Sequence, residues 1–109
     1  GGLMSPLGDR EYVADLALEF GFPLIVVSPN VLGTINQTLQ TLITASAHCG
    51  GLSVAGVVLN HPQPPAPDDP SLSGNRRELE ARCSVPILAE VEWGGDCFRP
   101  AADWAALVK

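Results

Sequence analysis

The apolar residues of this chain fall into two patterns, short continuous runs and stripes with helical spacing. Continuous runs at 24–27, 53–59 and 85–91 have the length and aliphatic character of strands that are buried on both faces of a parallel sheet. Stripes with a period near 3.6 residues predict helices at 9–20, 34–47 and 75–83, with a last helix at 101–108. Helices and strands therefore alternate along the whole chain.

A short turn that contains Gly33 and Thr34 joins the first strand to the helix after it. Thr34 is predicted to be the N-cap of that helix. The predicted inward stripe consists of Ile35, Leu39, Leu42, Ile43 and then Ser46 or Ala47, and the predicted outward positions are Gln37, Thr38, Gln40 and Thr41. Because such a turn presents N–H groups at the positive end of the helix dipole, we expect it to attract an anionic ligand.

Alternating strands and crossover helices predict an α/β fold, with a parallel sheet that carries helices on both faces. The whole chain, 1–109, is expected to be a single partial domain of this class. Three strands make a thin sheet, and its apolar edge would lie bare without further strands. We therefore expect a missing partner, either an N-terminal half or a second subunit.

Composition narrows the kinds of partner. Hydrophobic residues make up 46% of the chain and the mean hydropathy is +0.20, which favours a packed core. The formal net charge is -6 and the basic residues form no large cluster, so nucleic acid is not an expected partner. No apolar run is long enough to span a membrane and no signal-peptide pattern is present, so a cytoplasmic protein is expected.

The cysteine and lysine positions exclude several kinds of site. Cys49, Cys83 and Cys97 form no CxxC pair, so neither a zinc site nor a disulfide framework is predicted, and the thiols are expected to be reduced and mostly buried. The one lysine is Lys109, the last residue, so these residues hold no Walker A lysine.

Three polar segments follow predicted strands, where doubly wound sheets bind ligands. They are the turn at 33–36, Asn60, and the segment 90–93. Each has a plain structural alternative, because Asn60 is also a good turn residue and Asn36 a good capping residue. His48 and His61 have no sequence-adjacent carboxylate and are interpreted as solvated or capping side chains.

Four segments in order, GGLMSPL, PLIVVSPNVLGTINQTLQTL, LSVAGVVLNHP and VPILAEVEW, resemble the dethiobiotin synthetase family over nearly the whole chain. The resemblance implies the C-terminal half of a P-loop NTPase fold that works as a homodimer. It also implies that 7,8-diaminopelargonic acid reacts with carbon dioxide to a carbamate, which ATP phosphorylates with magnesium before the ring closes.

The resemblance also assigns roles to residues. The residues it implies for nucleotide binding are Gly1, Asn60, His61, Glu92, Trp93 and Gly94. Those it implies for substrate binding, with the carboxylate held at the helix start, are Gly33, Thr34, Ile35, Asn36 and Asn75. Glu92 departs from the family, which commonly has proline there, so the purine-binding loop is expected to differ.

The family's P-loop, catalytic lysine and metal-binding aspartate have no counterpart here, so no catalytic residue and no metal ligand is expected, and the chain alone is expected to be inactive. Two other interpretations stay open. One is a P-loop relative of the cobyrinate synthase type or of the domain fused to some phosphotransacetylases. The other is a non-catalytic module for dimerisation or regulation.

Overall fold

The computed structural model describes residues 1–65, 68 and 71–108. Its helices and strands follow one another in the order α1 Val13–Phe20, β1 Leu24–Pro29, α2 Thr34–Ala47, β2 Val54–Asn60, α3 Ser71–Arg82 and β3 Ile87–Val91. Short 3-10 turns follow at His48–Gly50, directly after α2, and at Trp104–Val108. No helix in the described ranges is long and apolar enough to cross a membrane.

The three strands form one parallel sheet in the order β1, β2, β3. Pro29 pairs with Asn60, and Asn60 pairs with Val91, so all three strands end at the same edge. The predicted class, an α/β fold with a parallel sheet and crossover helices, is confirmed, but among the described residues α2 and α3 share one face of the sheet, whereas helices were predicted on both faces.

One face of the sheet packs against α2 and α3, which contact each other. Ser28 of β1 and Thr38 of α2 are both buried, and their hydroxyl oxygens lie 2.7 Å apart. The apolar core under these helices includes Val57, Leu59 and Leu79, all essentially inaccessible to solvent. Leu79, an apolar residue of the helix predicted at 75–83, faces inward as its apolar character predicts.

The opposite face of the sheet is open. Ile25 and Val27 point to this face and are exposed, because successive strand residues point to alternate faces. The aromatic rings of Phe98 and Trp104 from the C-terminal segment lie beside them and share a cavity with them. Asn60, at the end of β2, lines the same cavity on this open face.

The predicted faces of α2 are partly wrong. Thr38, predicted to face away, is buried because its hydroxyl meets that of Ser28, whereas Ile43, predicted to face inward, is 66% exposed. The N-cap is Gly33 rather than Thr34, since Gly33 adopts φ 94° and Thr34 is the first helical residue. The buried face of α2 therefore includes Thr38, whose hydroxyl contacts Ser28, and excludes Ile43, although the apolar spacing predicted the reverse.

Several predicted boundaries also differ. The first helix begins at Val13, four residues later than predicted, because the Leu7 and Gly8 N–H groups donate to the Glu11 carbonyl and close a turn. The third strand begins at Ile87, two residues later than predicted. The last element is a 3-10 turn that starts at Trp104 instead of a helix from residue 101.

The proline-rich segment 61–74 is expected from its composition to be an exposed loop, and both this expectation and that of buried thiols are corrected in part. The helix α3 begins at Ser71, so the end of the predicted loop is helical, and residues 66, 67, 69 and 70 lie outside the described ranges. Cys49 and Cys97 are exposed and only Cys83 is half-buried, so the thiols are not mostly buried.

Candidate functional site

The carboxyl edge of the sheet gathers the polar segments that follow the three strands. The Asn30 N–H donates to the Asn60 carbonyl at 2.7 Å, and the His61 N–H donates to the Val91 carbonyl at 2.9 Å. The ladder of hydrogen bonds therefore continues one residue beyond the paired strands. As a result, Asn30, His61 and Glu90 lie side by side, although they are far apart in sequence.

Two buried asparagines form the centre of this edge. The Asn75 Nδ2 group donates to Asn30 Oδ1 at 2.9 Å and to the Val31 carbonyl at 3.1 Å. The Asn30 Nδ2 group in turn donates to the Leu72 carbonyl at 3.1 Å. Both side chains are almost fully buried, and their amide groups are satisfied within the protein. They fix α3 and the turn before α2 relative to the strand ends.

The Asn30 amide sets the tautomer of His61. The Asn30 Nδ2 group lies 3.4 Å from His61 Nδ1, and an amide NH₂ can only donate, so Nδ1 is the acceptor. The proton of a neutral imidazole is then on Nε2, which lies 2.5 Å from Glu90 Oε2. His61 is therefore held from both sides, by an amide donor and by a carboxylate acceptor.

Glu90 is the charged member of this network. Its Oε1 atom accepts a hydrogen bond from Arg76 Nη1 at 2.9 Å, while Arg76 Nε donates to Glu80 at 2.7 Å. Burial alone would raise the pKa of Glu90, but the hydrogen bonds from Arg76 and His61 outweigh burial and hold that pKa below its ordinary value of 4.5. Glu90 is therefore ionised at neutral pH.

Asn60 faces the open side of the sheet. It lines a groove of about 560 Å³ whose other walls are apolar or aromatic, formed by Ile25, Val27, Val58, Val91, Phe98 and Trp104. The Phe98 and Trp104 rings make an edge-to-face contact with centroids 4.7 Å apart. A flat apolar slot with one amide at its rim is suited to a planar heterocycle that also forms hydrogen bonds.

The start of α2 is the second predicted site. The Thr34 N–H donates to the Val31 carbonyl at 3.2 Å, and the Thr34 side chain is fully buried with Oγ1 3.5 Å from Thr38 Oγ1. The N–H and hydroxyl groups of Thr34 thus have partners within the protein and are not free to bind a ligand. Since the first N–H groups of a helix lack intrahelical acceptors, the groups that can receive an anion here are the backbone N–H groups of Ile35 and Asn36.

The remaining predicted residues lie apart from the network. Trp93 is about half exposed in the loop after β3, where the Gly95 N–H closes a turn onto the Glu92 carbonyl and Gly94 adopts φ 65°. Gly1 lies elsewhere, in a cavity of about 410 Å³ formed partly by polar side chains of α2. The structure therefore brings Asn60, His61 and Asn75 together and leaves Gly1 apart from them.

Sequence reasoning did not assign roles to Asn30 and Arg76. In the sequence Asn30 simply follows the residues that end the first strand, and Arg76 forms a pair with Arg77, and neither feature by itself indicates a ligand site. A usable signal was present for Asn30, because it follows a buried strand just as Asn60 does. No comparable signal existed for Arg76, whose partner Glu90 is 14 residues away on another element.

A parallel sheet with helical crossovers and a polar carboxyl edge is the arrangement of P-loop NTPase-like α/β domains. A protein-family model described as an AAA domain matches residues 1–101, and the chain belongs to that family. Within it, the recognised resemblance to dethiobiotin synthetases is confirmed by curated relatives of that name.

Three such relatives illustrate the similarity, all named ATP-dependent dethiobiotin synthetase BioD. The protein of Anaeromyxobacter dehalogenans strain 2CP-1 is 39% identical over 108 residues, which cover 99% of this chain and 47% of the relative. That of strain 2CP-C is 41% identical over 101 residues, covering 93% and 44%. That of Bacillus cereus strain B4264 is 39% identical over 88 residues, covering 81% and 35%. The chain thus spans half or less of the length of these relatives.

Proposed function

We propose that this chain is the C-terminal portion of a cytoplasmic, homodimeric dethiobiotin synthetase. The whole enzyme would convert 7,8-diaminopelargonic acid and carbon dioxide to dethiobiotin at the expense of ATP. The observation that carries the proposal is the similarity of 99% of the chain to a relative with that name. The geometry of the carboxyl edge supports a division of roles among its residues.

The groove beside Asn60 is proposed to hold the adenine base. Its apolar walls suit the faces of a purine, and the Asn60 amide offers both a donor and an acceptor to the edge of the base. His61, held in one tautomer by Asn30 and Glu90, borders the same strand end. The exposed loop of Glu92, Trp93 and Gly94 follows the neighbouring strand and would lie beside the base.

The described residues do not fit a magnesium site. The two groups of side chains that bring three ligand atoms close together both contain a histidine, and one of them also contains a cysteine. Magnesium prefers an octahedron of oxygen ligands, so neither donor set suits it. Neither cluster is therefore assigned a magnesium contact, and the roles proposed for the carboxyl edge concern the base and the substrate.

The start of α2 is proposed to receive the carboxylate of diaminopelargonic acid. The segment from Gly33 to Asn36 presents N–H groups at the positive end of a 14-residue helix, which favours a negative charge. Asn75 stabilises this turn through its hydrogen bond to the Val31 carbonyl. In a homodimer the substrate would bridge this turn and the active site of the other subunit.

A chimera tests the proposal directly. Residues 1–108 replace the aligned segment of the Anaeromyxobacter dehalogenans synthetase, and dethiobiotin formation is measured with ATP, magnesium, bicarbonate and diaminopelargonic acid. We expect turnover by the chimera and none by the isolated chain. A chimera that folds, by circular dichroism, yet forms no dethiobiotin contradicts the proposal.

A variant of the chimera tests the base site. Asn60→Ala should raise the KM for ATP about tenfold, since a lost hydrogen bond of about 1.4 kcal/mol corresponds to that factor, and should leave the KM for diaminopelargonic acid unchanged. Gln63→Ala, at an exposed position just beyond the strand end, serves as the control. Equal ATP constants for the two variants would remove Asn60 from the base site.

A further inference from the structure

A second cluster of polar side chains lies at the opposite edge of the sheet. Asp15 belongs to α1, and His48 and Cys49 follow α2 directly. Because α2 runs from the carboxyl end of β1 back to the amino end of β2, this cluster is remote from Asn60. One ligand atom from each of the three side chains lies within 4.8 Å of the other two.

Asp15 and His48 are already in direct contact. The Asp15 Oδ1 atom lies 2.8 Å from His48 Nε2, and both side chains are partly shielded from solvent. The Tyr12 N–H donates to the second oxygen, Oδ2, at 2.7 Å. One carboxylate oxygen is therefore fixed by the backbone and the other faces the imidazole, which is how an outer hydrogen bond orients a ligating carboxylate.

Cys49, the third residue of this cluster, has an unusual backbone conformation. Its φ and ψ are 46° and 47°, and it is the one residue other than glycine with a positive φ among those described. A left-handed conformation at a residue with a Cβ costs about 1–3 kcal/mol. The turn is continued by Gly50 and Gly51, which also have positive φ, and it brings the Cys49 thiol beside the other two side chains.

We propose that Asp15, His48 and Cys49 form a binding site for zinc(II) or a similar thiophilic divalent cation. Imidazole nitrogen, thiolate sulfur and carboxylate oxygen are the three donor types that zinc takes, and water fills the fourth tetrahedral position. Tetrahedral ligands of zinc lie roughly 3.3–3.6 Å apart. Asp15 Oδ1 and His48 Nε2, now 2.8 Å apart, therefore have to separate by about 0.5–0.8 Å as the ion replaces their hydrogen bond, and the exposed Cys49 thiol, within 4.8 Å of both, has to approach them by about 1.5 Å at most.

Binding would join α1 to the end of α2, two segments that are otherwise linked at this point by the contact of Asp15 with His48. It would also release the thiol proton, because the thiolate is the ligand. The site is independent of the proposed synthetase activity. It uses none of the residues assigned to the base or to the substrate.

Cobalt(II) is the probe for this site, because its absorption reports thiolate ligation. The full chain, purified without metal and kept reduced, is titrated with Co²⁺, and we expect a sulfur-to-cobalt charge-transfer band that saturates at one equivalent and is abolished by excess Zn²⁺. Cys49→Ser should abolish that band, while Cys83→Ser and Cys97→Ser keep it. Asp15→Asn and His48→Gln should weaken the affinity at least tenfold, with folding checked by circular dichroism.

Three outcomes overturn the proposal. They are the absence of a charge-transfer band, a band that persists in Cys49→Ser, and a band that is lost in Cys83→Ser or Cys97→Ser with the fold intact. The cluster of His61, Glu90 and Glu92 contains no thiol, so binding there gives visible ligand-field absorption without the charge-transfer band. Cobalt absorption of that kind alone would place the ion at the carboxyl edge and would also overturn the proposal.

Discussion

The two ends of the sheet are held together by different forces. At the carboxyl end, Asn30, His61, Asn75, Glu90 and Arg76 join the strand ends to α3 through hydrogen bonds. At the amino end of β2 and β3 the backbone ladder includes the Val57 N–H donating to the Pro86 carbonyl, and the side-chain contact there is the apolar packing of Leu88 against Gly56. Hydrogen bonds fix direction as well as distance, whereas apolar packing fixes distance alone. The side chains that join the strand ends at the carboxyl end therefore have defined orientations.

The packing at the amino end depends on Gly56. A Cβ atom at this position would lie 2.6 Å from both Leu88 Cγ and the Pro86 carbonyl oxygen. The register of β2 and β3 shifts here, since Val57 pairs with Ile87 but Val58 pairs with Ala89, which leaves Leu88 as the extra residue of a bulge. The absence of a side chain at Gly56 makes room for that bulge.

The largest effect is expected from Asn75→Ala, which breaks the carboxyl end. The variant removes two hydrogen bonds: Asn30 Oδ1 loses its donor, at a cost of about 1–3 kcal/mol for a buried unpaired group, whereas the Val31 carbonyl keeps the Thr34 N–H and loses one bond worth about 1 kcal/mol. We expect the free energy of unfolding in urea to fall by about 2–4 kcal/mol. Arg77→Ala, at an exposed position of the same helix, is the matched control, and an equal loss in both would show that the network contributes little.

A smaller effect is expected from Gly56→Ala, which breaks the amino end. The new methyl group meets the Pro86 backbone as well as the Leu88 side chain, so the strands must separate, at a cost of about 1–3 kcal/mol in the free energy of unfolding. Gly74→Ala is the control, because a Cβ at that helical position meets nothing within 4 Å. The control should gain about 0.5–1 kcal/mol from its higher helix propensity. If both variants were equally stable, the close approach at Gly56 would be refuted.

The smallest effect on the free energy of unfolding is expected from Glu90→Gln, which removes a charge at the carboxyl end, and this effect depends on pH. The folded pKa of Glu90 is lowered, so its ionised form stabilises the fold above its ordinary pKa of 4.5, and this contribution is lost as the pH falls through the lower folded value. Glu90→Gln should therefore lose roughly 1 kcal/mol of unfolding free energy at neutral pH and converge with the parent in acid.

Urea unfolding of both proteins across this acid range measures the convergence. Glu78→Gln removes an exposed ion pair with Arg82 and should change stability little at any pH. A constant difference between Glu90→Gln and the parent at all pH values would mean that the charge of Glu90 contributes nothing to the network.

The repeating pattern of apolar residues was enough to predict the order of the elements. The second strand, predicted at 53–59, is Val54–Asn60, and the long helix was predicted within its observed range. These elements are encoded locally, because a buried strand or an amphipathic helix repeats its apolar positions with a fixed period. Predictions of what each helix face contacts were less accurate, as Thr38 and Ile43 show.

The candidate site was predicted only in part. Asn60, His61 and Asn75 were singled out, and the structure brings them into one region, whereas Asn30 and Arg76 were given no role. Asn75 lies 45 residues from Asn30, and His61 lies 29 residues from Glu90. Neither hydrogen bond has a local sequence signal, because the partners meet only when the crossover helix returns the chain to the next strand.

The cluster of Asp15, His48 and Cys49 at the amino edge was even less predictable from local sequence. His48 and Cys49 had no carboxylate near them in sequence, so no metal site was predicted, yet Asp15 lies 33 residues away and contacts His48 directly. The sequence by itself determined the alternating elements, the parallel sheet and the polar strand ends, because each of these follows from local periodicity and turn chemistry. The partners of the polar side chains were decided only by the tertiary structure, since packing chooses which distant segments share an edge.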